Sequence, residues 1–260
     1  MGSRALRITL VVVVVVLVLG FVADRVTAHV AADQIATEAQ RSERLPTKPS
    51  VSIGGPLFLP QVVRGDYHDI NVDVRGLMEE GLRVDRLRAH LDGVHIPLSD
   101  ILGGNVSRVP VDTLDADVEL TFTDINTYLA TQNQPDALVT DIRVGPAGSA
   151  IKLMATLHIG GQSIPFGGTA DIGVQPAAFT VTPRELGQGL GSLVPPALRD
   201  QFASLLTVTV PVQGLPFNLR LTAANVLADR VRFSAAGKNV ILDPNAAPPG
   251  AAVVIPDPAG

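Results

Sequence analysis

The 260-residue chain contains no cysteine and no tryptophan, and aromatic residues make up only 4% of it. The absence of cysteine excludes disulfides, thiolate catalysis and cysteine-based metal sites. Basic residues are not in excess, because the formal net charge is −5, which argues against a nucleic-acid-binding protein. Apolar residues nevertheless make up 46% of the chain, so aliphatic side chains for a large core are available.

Catalytic and metal-binding signatures are also scarce. The five histidines form no His-x-x-x-His or His-x-His pair, and no Gly-x-Ser-x-Gly nucleophile motif occurs. Ser149 and Lys152 have the Ser-x-x-Lys spacing of some hydrolases, but they lead into a predicted strand, where this spacing places them on opposite faces. The sequence therefore predicts a protein that is not an enzyme and that holds no metal or cofactor.

One acidic cluster consists of Asp112, Asp115, Asp117 and Glu119. The last three of these residues alternate with apolar ones, which places their carboxylates together on the polar face of a strand. We therefore interpret the cluster as a solvated strand face, with weak Ca²⁺ binding as the alternative.

An uncharged apolar segment lies near the start of the chain. Arg4 and Arg7 precede it, it runs from Ile8 to Ala23, and Asp24 and Arg25 end it. Basic residues before an apolar segment favour an orientation in which the N-terminus stays in the cytoplasm and the following chain is outside. Residues 1–24 are therefore predicted to be a membrane anchor or a signal segment.

The length of this segment leaves both alternatives open. As a helix, the run from Ile8 to Ala23 reaches about 24 Å, somewhat less than the roughly 30 Å of a hydrocarbon core. An uncleaved anchor holds the protein at the plasma membrane, with the bulk of the chain extracytoplasmic. Cleavage near the small residues of Val26-Thr27-Ala28 would instead leave a periplasmic protein.

Residues 25–45 predict a helix that packs on, or leads into, the next domain. Val26, Val30, Ile35 and Ala39 recur at roughly helical spacing, with no glycine or proline between them, and Pro46 ends the pattern. The alanines of this segment favour close packing of the helix on the domain. A spacer stalk is the alternative.

Residues 46–242 predict the main domain, in which apolar and polar residues alternate with a period of two. The alternation is clearest from Ile151 to Ile159, and it predicts antiparallel strands with one apolar and one polar face. Two short helices interrupt the strands, one capped by Thr123 and ending near Gln132, the other from Pro195 to Leu206. The proline-rich residues 243–260 predict a disordered tail.

The apolar strand faces can be covered in two ways. A curved sheet that is incompletely filled leaves a groove for acyl chains, in which each buried methylene contributes about 0.8 kcal/mol. A filled core would instead suit a membrane-anchored interaction or scaffold module, and the alternation by itself favours this second interpretation.

Residues 51–77, VSIGGPLFLPQVVRGDYHDINVDVRGL, resemble the opening of the LmeA-like phospholipid-binding family. The similarity continues through residues 91–94, 120–129, 215–217 and 237–242. Two stretches depart from the usual pattern, namely Pro-Leu-Phe-Leu at the opening and Asp229-Arg230 before the last strands. The matching positions of the opening are Val51, Ile53, Pro56, Phe58, Leu59, Gln61, Gly65, Tyr67, Val72, Gly76 and Leu77.

The resemblance implies an α+β, β-dominated fold. Its long antiparallel curved meander sheet would wrap around an N-terminal helix, as in tubular lipid-binding proteins, and two short helices would lie within it. The resemblance also implies a lipid-binding protein of an actinobacterial cell envelope that supports lipoglycan or envelope lipid assembly without catalysis. The implied partners are a phospholipid or phosphatidylinositol-based glycolipid, the plasma membrane and envelope glycosyltransferases of unspecified identity, but no nucleic acid.

We predict that five apolar side chains contact the lipid in a groove or at its lip. Phe58 and Leu59 are the strongest candidates, because apolar residues crowd both faces of the chain there. An ordinary place in the core is the alternative for each residue. The five candidates are Leu57, Phe58, Leu59, Phe166 and Phe217.

Overall fold

The computed structural model describes residues 2–42, 45–79, 81–103, 106, 108–131, 139–159, 161–186, 208–211 and 216–243. These residues form two compact units, each assembled from separate stretches of the chain. The first unit draws on Met1–Val74, Ala89–Leu114 and Lys238–Ala246, and the second draws on Arg75–Arg88 and Asp115–Gly237.

The first unit begins with one long helix, α1, at Gly2–Ser42. At about 1.5 Å per residue, its 41 residues extend roughly 60 Å. The helix continues through Asp24 and Arg25, so the predicted segments 1–24 and 25–45 share one helix. Among the described residues, Val13–Arg41 is long and apolar enough to cross a membrane, with a mean hydropathy of 2.0.

Short elements follow α1 in the first unit: β1 at Ser50–Ile53, α2 at Leu59–Arg64, β2 at Asp66–Tyr67 and α3 at Leu98–Gly103. Strand β1 packs on α1 and pairs antiparallel with the strand at Ile70–Glu79, β3. Gly65 ends α2 with a φ of 68°, a left-handed conformation that glycine adopts readily, and its N–H group bonds back to the helix. The chain thereby turns directly from α2 into β2.

Four long strands are β3 at Ile70–Glu79, β4 at Leu82–His95, β5 at Val109–Thr121 and β12 at Arg230–Leu242. Together with β1 and with β11 at Arg220–Val226, they form an antiparallel sheet in the order β1-β3-β4-β5-β12-β11. Strand β2 pairs with β4 outside this order. Each of the four long strands contributes residues to both units.

The second unit contains a separate antiparallel sheet of five strands in the order β10-β9-β8-β7-β6. Phe122, Ile151, Ala170 and Val231 form its buried apolar cluster. The cluster therefore joins residues of both sheets to Phe122, the first residue of the helix at Phe122–Thr131, α4. The five strands are β6 at Val139–Ala147, β7 at Ala150–Ile159, β8 at Gln162–Gln175, β9 at Ala178–Leu186 and β10 at Val208–Pro211.

Helix α4 spans Phe122–Thr131, close to the predicted helix, but its cap differs from the prediction. Thr121, not Thr123, accepts the backbone N–H of Asp124, at 3.1 Å. Thr123 comes two residues after Thr121 and already lies inside the helix, which starts at Phe122, so it does not occupy the capping position. The predicted helix from Pro195 to Leu206 lies outside the described residues, and so does the tail beyond Asp243.

The predicted β-dominated α+β class is confirmed, with an N-terminal helix, antiparallel sheets and short internal helices. The strands do not follow one continuous meander, however. Strand β5 pairs with β12, which lies far along the chain, and α4 separates β5 from the second sheet. Within the described residues, neither sheet closes into a barrel.

Candidate functional site

The end of the apolar run in α1 is bonded directly to the loop that precedes α2. The carboxylate of Asp24, only 2% exposed, accepts the backbone N–H groups of Phe58 and Leu59, both at 2.7 Å. These N–H groups start α2 and have no partner within the helix, and Phe58 provides no side-chain cap of its own. A carboxylate from α1 therefore caps α2 and satisfies its own buried charge at the same time.

Arg25 fixes the same loop through its carbonyl groups. Its Nη2 donates to the carbonyl oxygen of Gly55 at 2.8 Å and also to that of Pro56. The guanidinium lies 5.2 Å from the ring centre of Phe21, one turn earlier on α1. Asp24 and Arg25 together attach residues 55–59 to the helix through backbone groups, which leaves the side chains of Leu57 and Leu59 free to face outward.

Gln61 completes the inner bonding of this loop. Its buried amide nitrogen donates to the carbonyl oxygens of Gly54 and Leu57 at 3.0 and 2.8 Å, and its amide oxygen accepts the N–H of His68 at 2.9 Å. Gly55 has a φ of 94°, and a Cβ there would lie 2.7 Å from the amide nitrogen of Gln61. The loop thus needs both the glycine and the glutamine that occupy these positions.

An apolar groove of about 660 Å³ lies between α1 and this loop. Its α1 side consists of residues 16–18, Gly20, Phe21 and Asp24, and its loop side consists of Leu57, Leu59 and Pro60. The volume falls in the range of small-molecule sites. Because aliphatic side chains form most of its lining, the groove suits a hydrocarbon chain better than a polar ligand.

A ridge of small residues holds the next part of α1 on the first unit. Ala28, Ala32 and Ala36 are buried at four-residue spacing, in line with Asp24, and α1 packs on β1. Val26, Val30 and Ile35, which carry the predicted helical pattern, are instead about half exposed. Small side chains allow the backbones to approach closely, so the alanines form the packing face.

The structure places Leu57 and Leu59 together on the wall of the groove, 42% and 46% exposed. Phe58, between them, points inward and is 5% exposed, with its ring centre 6.3 Å from that of Tyr67. Burial raises the pKa of the Tyr67 hydroxyl. The side chain of Phe58 therefore packs on Tyr67 and stabilises the loop, whereas the side chains of Leu57 and Leu59 form apolar surface.

The other two predicted lipid contacts belong to the second unit and are not among the residues that line this groove. Phe217 lies in a 3-10 turn at Pro216–Asn218, in a left-handed conformation with a φ of 62°, and is 38% exposed. Phe166 lies in β8, where it pairs with Ala155 of β7. Their contact with lipid stays a prediction.

The polar face of β5 differs from the prediction at Glu119, which is only 2% exposed. Its carboxylate accepts hydrogen bonds from Arg88, Arg230 and Arg232 at 2.9–3.0 Å. Burial alone would raise the pKa of Glu119, but the hydrogen bonds from Arg232 and Arg230 and the charge of Arg88 outweigh it and lower the pKa. The alternation places Glu119 on the polar face of β5, as predicted. This face is not solvated at Glu119, however, because long arginine side chains cover the carboxylate.

The second unit also contains a hydrogen-bonded pair of a serine and a histidine. Ser163 and His158 face each other across the hairpin of β7 and β8, with Oγ and Nδ1 2.9 Å apart, and the His158 Nε2 lies 2.8 Å from the hydroxyl oxygen of Thr140. A hydroxyl thus occupies the place where a carboxylate would orient the imidazole in a catalytic triad. We interpret these bonds as cross-strand contacts.

No group of three or more histidine, aspartate or glutamate residues within the described part of the chain is arranged to hold a metal ion. The sequence gives little sign of the roles of Asp24 and Arg25, because their bonding partners lie 30–35 positions away. One signal does exist: Asp24 continues the four-residue spacing of Ala28, Ala32 and Ala36. A charged residue on such a small-residue face predicts burial with a specific partner.

Comparison with known proteins gives one family. A family model described as LmeA-like phospholipid-binding matches residues 22–236. No curated protein matches the chain, and no solved structure matches it. The matched range begins within α1, just before Asp24, and includes the whole loop that Asp24 and Arg25 hold.

Proposed function

We propose that this chain, which belongs to the LmeA-like phospholipid-binding family, binds phospholipid or a phosphatidylinositol-based glycolipid. It does so at the outer face of the plasma membrane of a bacterial envelope. In this role it supports lipoglycan or envelope lipid assembly by holding or presenting lipid, without catalysis. The observation that carries the proposal is the apolar groove between α1 and Leu57, Leu59 and Pro60, next to the apolar run of α1.

The bonding of α1 supports an uncleaved anchor as the state in which the protein functions. Cleavage near Ala28 would remove Asp24 and Arg25, and with them the cap of α2 and the bonds to Gly55 and Pro56. It would also remove one entire wall of the groove. The N-terminal segment is therefore part of the lipid-binding structure in this proposal, with the bulk of the chain extracytoplasmic.

Lipid extraction from the purified full-length chain tests the proposal. The chain is purified in a mild detergent and extracted with organic solvent, and the lipids are identified and counted by mass spectrometry. Uptake of a fluorescent phospholipid from vesicles is measured in parallel. We expect phospholipid or glycolipid at a defined stoichiometry, whereas absence of both lipid and uptake would contradict the proposal and favour the scaffold alternative.

A pair of variants locates the binding. Replacing Leu57 and Leu59 together with aspartate should strongly reduce lipid uptake, because two charges would enter the groove. The matched control is Met78→Asp, which places a charge at a residue of β3 that is 57% exposed and lies outside the groove. The control should retain uptake; equal loss in both variants would show that the groove is not the site.

A further inference from the structure

The loop and helix from Gly54 to Val63 carry no charged residue. Leu57, Leu59 and Val63 are 42%, 46% and 76% exposed. Residues of this kind usually lie inside a protein, and a group of them on the surface marks an interaction site. The loop therefore presents an uncharged apolar surface directly beside the apolar run of α1.

The backbone of this segment is unusually well bonded for a surface loop. Five consecutive carbonyl groups, from Gly54 to Phe58, all accept hydrogen bonds from within the unit. The donors are the side chains of Arg25 and Gln61 and the first backbone N–H groups of α2. Water would satisfy such carbonyls on an ordinary surface, but hydrocarbon cannot, so internal bonding of this extent suits a loop that leaves water.

The position of the groove along α1 sets how deep the loop would lie. The groove extends from Val16 to Asp24, a distance of about 12 Å along the helix axis at 1.5 Å per residue. One leaflet of the hydrocarbon core is about 15 Å thick. If Asp24 and Arg25 lie at the membrane surface, Leu57, Leu59 and Pro60 lie alongside helix residues that are inside the leaflet.

We infer that residues 54–63 insert into the outer leaflet beside α1 and that acyl chains of bilayer phospholipids occupy the groove. The inference rests on the proposed anchoring of α1 in the membrane, because the same helix forms one wall of the groove. The exposed residues of α1 from Val13 to Val22 continue this surface, with exposures of 48–67%. The lipid-binding unit thus sits partly within the bilayer, where a lipid reaches the groove without crossing water.

Tryptophan fluorescence tests the inference cleanly, because the natural chain has no tryptophan. Three full-length variants, Leu59→Trp, Leu17→Trp and Ile35→Trp, are reconstituted into vesicles of phosphatidylcholine with or without bromine on the acyl chains. Leu17 reports the membrane helix, Leu59 reports the loop, and Ile35 lies about 16 Å beyond Asp24 on the same helix. All three residues are exposed, so an indole fits at each position.

We expect brominated lipid to quench Leu59→Trp and Leu17→Trp to a similar degree, and to leave Ile35→Trp unquenched. If Leu17→Trp is quenched and Leu59→Trp is not, the loop does not insert, although α1 is still anchored in the membrane. No quenching of either would overturn both insertion and anchoring. Circular dichroism checks that each variant is folded, and Leu57→Trp replaces Leu59→Trp if that variant fails to fold.

Lipid carriage is measured separately, by the extraction and uptake experiments on the unmodified chain. A protein whose loop inserts but that yields no bound lipid would support the insertion of residues 54–63 and contradict the proposed function. A protein that carries lipid while Leu59→Trp stays unquenched would contradict the insertion of the loop and support the proposed function.

Discussion

Two buried carboxylates, one in each unit, are satisfied in opposite ways. Asp24 is bonded to two backbone N–H groups of a single loop, and Arg25 beside it directs its donors to carbonyl oxygens of the same loop. Glu119 is bonded to three arginine side chains, two of them on β12 and one on β4. The first arrangement uses mainly backbone N–H groups, with the guanidinium of Arg25 at 3.7 Å from the carboxylate, and the second uses only charged side chains.

This difference indicates what each region does. The bonds of Asp24 act on main-chain atoms, so the leucines of the loop remain outward and form apolar surface. The bonds of Glu119 connect three strands of one sheet through charged side chains, and no apolar surface results. We therefore expect changes at Glu119 to affect the fold of the second unit, and changes at Asp24 to affect the loop and the groove.

The largest expected effect is that of Glu119→Gln on stability. The substitution keeps the shape of the side chain but leaves Arg88, Arg230 and Arg232 without their shared counter-charge. Breaking a fully buried pair costs about 3–5 kcal/mol, and we expect about 2–3 kcal/mol here because the arginines remain 26–38% exposed. Urea unfolding in the same detergent measures the loss.

The control for this variant is Asp171→Asn, which breaks the exposed pair of Asp171 and Arg184 in the same unit. An exposed ion pair contributes about 0–1 kcal/mol, so the urea midpoint should hardly move. If Glu119→Gln were as mild as this control, the arginines would not depend on Glu119, and the contrast with Asp24 would be lost.

A smaller and more local effect is expected for Asp24→Asn. The amide provides one acceptor oxygen where the carboxylate provides two, and its NH₂ group faces a backbone N–H. Amide hydrogen exchange in residues 54–64 should accelerate on the order of tenfold, with little change in the sheets. Lipid uptake should fall in parallel, because Leu57 and Leu59 lose their fixed position.

Asp33→Asn is the matched control on the same helix, since Asp33 forms an exposed ion pair with Lys48. It should leave both exchange and uptake unchanged. An Asp24→Asn chain that exchanges faster throughout the second unit would show that Asp24 stabilises the whole fold rather than the loop.

The sequence predicts the strands well, because alternation reports which face of a strand each side chain occupies. The alternating residues from Ile151 to Ile159 lie in β7 at Ala150–Ile159, and α4 starts at Phe122, two residues before the start that a cap at Thr123 predicts. Alternation carries no information on which strands are neighbours. The pairing of β5 with β12 therefore had to come from the structure.

The candidate site is predictable only in part, for the same kind of reason. Apolar residues on both faces of the loop mark Leu57 and Leu59, but they do not separate these from Phe58, which packs inward on Tyr67. In the sequence, Glu119 looks like a solvated charge and Asp24 looks like the end of the apolar segment, with only its spacing to the alanines as a sign of burial. Their burial depends on a loop and on arginines that are distant along the chain.

The smallest expected effect is the pH dependence of the Glu119 cluster, and it decides whether charge or shape makes this carboxylate important. The pKa of Glu119 is lowered in the folded chain from its ordinary value of 4.5, by the arginine hydrogen bonds that outweigh its burial. A lowered pKa contributes stability that is fully present above about pH 4.5 and is lost as the pH falls through the folded value.

The difference in urea midpoint between the natural chain and Glu119→Gln should therefore be constant near neutral pH and shrink below about pH 4.5. The other carboxylates titrate in both chains, so their contributions largely cancel in the difference. A difference that persists unchanged into acid would mean that the glutamine disturbs packing or hydrogen bonding and that the charge of Glu119 contributes little. Glu119 would then resemble Asp24 in acting through hydrogen-bond geometry, and the contrast between the two carboxylates would fail.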